Sequence, residues 1–199
     1  MHLNRQQKYI FVIHTVFLVF YTILFLMKQN YEFLIYVVVI LAVMGSILFT
    51  RNMVIHSAPL LWGLAIWSII HMSGGGLVFN GVRLYDTILI PILGDPYHIL
   101  RYDQFAHIFG FAVATFAMYT ILKPLLKEGH RWGALSIVIV MAGLGVGALN
   151  EIVEFFSVLV LKSTGVGGYM NTALDLVSNA VGAAIALIFI LFHEKKRFK

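Results

Sequence analysis

Apolar runs alternate with short polar breaks along the chain, at about 9–27, 32–50, 54–72, 103–123, 133–161 and 172–192. Each approaches or exceeds the roughly 20 residues that carry a helix across a hydrocarbon core of about 30 Å. The pattern predicts six transmembrane helices in a single domain over residues 1–199. The first run is too long, and too lacking in a small-residue cleavage site, to read as a removable leader. The fifth is longer than a span requires, which predicts a tilt, a kink or an extension beyond the membrane. Residues 73–102 form the one long connection. It opens on Ser73-Gly74-Gly75-Gly76, holds Pro91 and Pro96, and carries the apolar patch TILIPIL. That patch is too short to span, so it reads equally as a re-entrant or interfacial segment or as a surface loop.

Composition agrees with the pattern. The chain is 60% hydrophobic and 12% charged, with a mean hydropathy of +0.90. A soluble domain is nearer half apolar and a quarter charged. The fold class is therefore all-α: a polytopic membrane helical bundle, with no polar gap long enough for a soluble domain. With no cysteine, disulfides and thiolate metal ligands are excluded. The net charge of +5 marks orientation rather than nucleic-acid binding. Arg5, Lys8, Arg51, Lys123, Lys127, Arg131, Lys195, Lys196, Arg197 and Lys199 fall on one side, and Lys28, Arg83, Arg101 and Lys162 on the other. Ten against four puts both termini in the cytoplasm. Gly143 and Gly147 form a GxxxG face suited to close helix packing. No strand precedes them, so a phosphate loop is set aside. Ala180, Gly182, Ala184 and Ala186 give the sixth run similar small faces.

Placed on this topology at about 1.5 Å per residue, the ionisable groups of four helices reach one depth. His71 lies near the outer end of the third run, and Asp103 at the mouth of the fourth with His107 about 6 Å below. Glu151 and Glu154 fall in the outer part of the fifth, and Asp175 and Asn179 in the first two turns of the sixth. Spacings of four, three and four within these pairs put each pair on one helix face. Three such faces can point at a common centre, as in bundles that hold carboxylate and histidine sites.

Two carboxylates within a membrane helix oppose insertion by roughly 5–7 kcal/mol. Such acids pair with a cation, hold a proton or line a wet cavity. No lysine or arginine lies inside any run, and Arg101 and Lys162 only flank them. A divalent metal, with zinc, manganese and iron the best fits, would supply the charge through carboxylate oxygens and imidazole nitrogens. A carboxyl that keeps its proton is the other solution, and it suits proton transfer. Plainer accounts exist for some of the set. Asp103 could cap the fourth helix, Asp175 could favour the positive end of the sixth, and His71 could be a hydrogen-bonded interface histidine. Glu151 and Glu154 have no comparable account. His14, His56, His98, His130 and His193 stand outside any constellation and read as structural or surface residues.

Four motifs carry a resemblance: IIHMSGGG (69–76), RYDQFAHIFGF (101–111), NEIVEFF (150–156) and DLVSNAVGA (175–183). The first three resemble the YjdF-type bacterial inner-membrane proteins, and the last is similar to the ending of the VanZ-like family. Gln104 stands where the YjdF type usually has Arg, and the VanZ-like Glu-x-x-Gln is Glu-x-x-Glu here. The resemblance implies a multi-pass protein of the bacterial plasma membrane and brings no settled reaction with it. VanZ itself is tied to resistance to a lipoglycopeptide antibiotic.

Three functional readings follow. The first is a membrane-embedded hydrolase or transferase acting on a lipid or lipid-linked envelope substrate. In it His71, Asp103, His107 and Asp175 hold a metal, Asn179 and Tyr102 support them, and Glu151 or Glu154 is the general base. With no serine or cysteine paired to a histidine, water is the attacking group. The second is a proton- or cation-coupled transporter, which the crowding of interior acids into the last three runs opposes. The third is a binding or scaffold protein locked by its polar cluster. A haem between His71 and His107 is set aside, because the neighbouring carboxylates suit hard cations better.

Overall fold

The computed structural model describes residues 4–49, 57–127, 129 and 131–197. Arg51, His56, His130 and Lys199, named above, lie outside the described residues. Among those described, six helices occupy the six apolar runs. They are α1 Arg5–Met27, α2 Tyr31–Phe49, α3 Ala58–Gly76, α4 Tyr102–Leu122, α5 Trp132–Val160 and α6 Tyr169–Arg197. Four stretches, Arg5–Met27, Tyr102–Leu125, Trp132–Val160 and Tyr169–Glu194, are long and apolar enough to cross a membrane by themselves. In α2 the apolar stretch Tyr31–Ser46 is shorter, and α3 ends in the less apolar HMSGGG.

The closest packing joins α4 to α6, with α3 and α5 against α4 and with α1 against α3. Small residues explain it. A Cβ on Gly182 of α6 would fall on the Ile108 carbonyl oxygen and 2.9 Å from the Ala112 nitrogen, both main-chain atoms of α4. On α5 the inner stripe reads Leu135, Ile139, Gly143, Gly147, Glu151 and Glu154, at the helical interval. Gly143 faces Thr115 and Gly147 faces Asn179, so the helix lies close where its stripe turns from glycine to acid. Leu149, Ile152, Phe155, Phe156 and Leu159 are exposed on the other faces, as lipid contact requires. The small face of α6 is Gly182, Ala183 and Ala186; Ala184, expected to share it, is exposed.

Ser73 to Gly76 do not open a loop. They are the last turn of α3, and aromatic rings rest on it. A Cβ would strike Tyr85 at Gly74 (2.6 Å), Phe33 at Gly75 and Tyr21 at Gly76 (2.7 Å). Glycine, a weak helix former, is kept here because nothing larger leaves room for three rings. Gly75→Ala is expected to lower the thermal midpoint by about 2–12 °C, the range for overpacking of about 1–3 kcal/mol in a chain of this size. Differential scanning fluorimetry of the purified protein in detergent checks it, and an unchanged midpoint contradicts this packing.

The connection from α3 to α4 departs from an all-α fold. Val78–Phe79 (β1) pairs with Val82–Arg83 (β2) across Asn80-Gly81, both at positive φ as a tight hairpin turn demands. A 3-10 turn, Leu84–Asp86, delivers Tyr85 inward. The TILIPIL patch is neither loop nor spanning segment: Ile88–Leu93 (β3) is an exposed strand paired with Ile99–Arg101 (β4), which leads into α4.

Candidate functional site

His107 stands at the centre of the polar groups, on the α4 face that meets α5 and α6. Its Nδ1 lies 2.9 Å from the Asn179 side-chain oxygen. A carbonyl oxygen only accepts, so Nδ1 carries a proton in this contact, and in the neutral ring the lone pair then lies on Nε2. Nε2 is 3.7 Å from Asp103, and Nδ1 is 3.9 Å from Glu151. Asn171 donates to Asp175 (2.6 Å) and, more weakly, to Asp103 (3.4 Å), tying the start of α6 to the start of α4. Asn150 donates to Glu154 at 2.8 Å.

The cluster is largely buried and under-satisfied. His107, Glu154, Asp175 and Asn179 are buried. Both oxygens of Glu151, one of Asp175 and the Asn179 amide nitrogen have no hydrogen-bond partner among the described residues. Native interiors rarely leave such atoms bare, and a site that does so is a candidate for an ion or for chemistry. Two trios have ligand atoms within 4.8 Å of one another: Asp103, His107 and Asp175, and His107, Glu151 and Glu154. The first uses the free Nε2 side of the imidazole. The second uses the side already engaged by Asn179, and so suits a base better than a second metal. Oxygen and imidazole donors with an unpartnered carboxylate oxygen fit a divalent metal of the zinc, manganese or iron kind.

The simpler accounts of the two aspartates do not hold. Asp103 is the second residue of α4, not its cap; Gln104 instead reaches back to the Arg101 N–H at 3.1 Å. The sixth helix begins at Tyr169, so Asp175 lies beyond the first turn where the helix dipole acts. His71 joins neither trio. It lines a small polar cavity of about 40 Å³ together with Asp103 and Glu154, boxed by Phe33, Tyr36, Trp67 and Tyr85. The Tyr85 hydroxyl bonds its Nδ1. Burial pushes the Tyr85 phenol well up, so it stays protonated and donates, which occupies the lone pair that a metal would need. Tyr102 supports α3 rather than the trios, its hydroxyl donating to the Ile70 carbonyl at 3.1 Å.

Several participants escape a reading of the sequence. Asn171 and Asn150 stand four residues before Asp175 and Glu154, a spacing that could have found them. Glu32, Tyr36 and Arg83 also line the small cavity, and only tertiary contact brings them there. Arg83 corrects the expectation that no arginine reaches the site. It arrives from β2, paired with Asp86 at 2.9 Å. His14, set aside as structural or surface, is buried with an unpartnered Nε2 in an apolar cavity between α1, α2 and α3.

A helical membrane protein with a buried cluster of acids, amides and one central imidazole is the class these features define. The chain belongs to the predicted membrane protein family DUF2238, whose model matches residues 8–196. No curated protein and no solved structure matches it.

Proposed function

We propose that this protein is a metal-dependent hydrolase or transferase of the membrane, acting on a lipid or lipid-linked envelope substrate. The observation that carries the reading is the trio of Asp103, His107 Nε2 and Asp175 beside two bare oxygens of Glu151. In this reading α1 to α6 all span the bacterial plasma membrane, both termini are cytoplasmic and the site faces outward. The shared motifs and the family match support a YjdF-type protein; the VanZ-like ending adds nothing further.

The roles follow from the hydrogen bonds. Asn179 fixes the imidazole tautomer, as carbonyl partners do for metal-bound histidines. Asn171 aligns the two aspartates. A divalent metal bound there supplies Lewis acidity and a more acidic water. Glu151, 3.9 Å from His107, is the base that takes a proton, while Glu154 accepts a hydrogen bond from Asn150. Burial keeps bulk water from competing with these groups.

Glu151→Gln is expected to abolish turnover, by a factor of at least about 100 for a lost general base, with the thermal midpoint and metal content unchanged. The assay follows release of water-soluble product from radiolabelled envelope lipids in proteoliposomes, with and without a chelator. Wild-type turnover in the Glu151→Gln, Glu154→Gln double variant would falsify the reading.

A further inference from the structure

Beside the acid cavity lies a much larger groove of about 810 Å³. It is framed by the turn between α1 and α2, by β1 and β2, and by the segment between α5 and α6. Lys28, Arg83 and Lys162 line it, with Glu32 as the one acid among its lining residues. Of the four basic residues at this end of the bundle, three therefore converge on one groove. Lys162 is exposed and has no partner among the described residues. Lys28 donates to the Gly76 carbonyl at 2.7 Å and keeps two further N–H groups. Two large apolar side chains stand exposed at the groove: Tyr31 is 58% exposed and Val160 74%.

The groove and the acid cavity meet at Glu32, Arg83 and Gly165, which line both. Arg83 donates to the Gly165 carbonyl at 3.2 Å, and the Gly165 N–H donates to Glu32. This clamped peptide is the wall between a basic recess with room for a headgroup and an acidic one with room for an ion or a few waters.

We infer that the groove of Lys28, Arg83 and Lys162 binds the phosphate of a lipid headgroup and presents it to the neighbouring acid–imidazole cluster. The inference rests on the hydrolase or transferase reading and names its substrate class, a phosphate ester on an apolar tail. With Arg83 balanced by Asp86, Lys28 and Lys162 against Glu32 still leave the groove net basic, which favours an anion. The exposed Tyr31 and Val160, at the start of α2 and the end of α5, favour a lipid over a soluble phosphate. Arg83 bridges the groove and the acid cavity; its Nε and one terminal nitrogen are held by Asp86 and the Gly165 carbonyl, which leaves the other terminal nitrogen to meet a phosphate oxygen.

The test measures binding to the full-length protein in detergent, by native mass spectrometry, of short-chain phosphatidic acid, short-chain phosphatidylcholine and inorganic phosphate. Phosphatidic acid is expected to bind at least tenfold more tightly than the other two. Lys162→Gln weakens it roughly fivefold, and Lys28→Gln with Lys162→Gln roughly 25-fold, from the usual worth of a basic residue against an anionic headgroup. Because Lys28 also ties α1 to α3, the single Lys162→Gln variant keeps the test valid if the double one is unstable. Equal affinity for the two lipids, or no loss in Lys162→Gln, overturns the inference. Inorganic phosphate binding as tightly as phosphatidic acid overturns its lipid part. Glu151→Gln separates the two proposals: undiminished lipid binding beside undiminished turnover sinks the catalytic reading and leaves the headgroup site standing.

Discussion

On the metal-centre proposal, protein carrying His107→Ala is expected to bind no divalent metal where the unaltered protein holds one, the content falling from about one ion per chain to less than a tenth on elemental analysis after dialysis. The imidazole supplies the nitrogen of the proposed ligand set, and Asn179 holds it so that Nε2 faces Asp103. Removing a supporting residue alone typically weakens metal binding 10–100-fold, so Asn179→Ala should fall in that range and His107→Ala beyond it. His71 is the discriminating control. Its Nδ1 is taken by Tyr85, so His71→Ala should leave metal content intact while loosening the aromatic box around it. Metal retained in His107→Ala, or lost equally in His71→Ala, would remove the proposed centre.

Gly182→Val carries the largest expected effect on stability. The new side chain meets the main chain of α4 at Ile108 and Ala112, and helical main chain cannot move aside as a flexible side chain can. Overpacking of about 1–3 kcal/mol is the usual range, and a clash with backbone belongs at or above its top. The midpoint should fall by about 6–12 °C at 2–4 °C per kcal/mol for a chain of this length. Asn179 sits one turn away, so prising α6 from α4 also separates it from His107, and metal content should fall with stability. Ala184→Val, exposed on the same helix, is expected to shift the midpoint by no more than about 2 °C. Equal midpoints for the two variants would contradict the close α4–α6 crossing. Scanning fluorimetry and elemental analysis on one preparation read both effects.

The α5 stripe shows what short-range pattern conveys. Gly143, Gly147, Glu151 and Glu154 recur at the helical interval, so once the run is helical the acids must share the packed face. The pairs on α4 and α6 were legible for the same reason. Pattern misled where packing overrode propensity. A serine and three glycines look like a loop, yet rings from α1, α2 and the 3-10 turn hold them as a helical turn. TILIPIL has no alternation of polar and apolar positions to announce a strand, and its pairing with Ile99–Arg101 is a tertiary event.

Local periodicity thus carried the number of helices and the faces their acids share, because backbone geometry alone turns residue spacing into direction. Position around the bundle is different. His71 and His107 are both buried, yet one faces a cage of aromatic rings and the other the carboxylates of three helices. The proton on His107 Nδ1, the arrival of Arg83 from a hairpin and the joining of the basic groove to the acidic recess were decided by folding. Each depends on how closely separate elements approach, a distance set by packing over the whole bundle and written in no short stretch of residues.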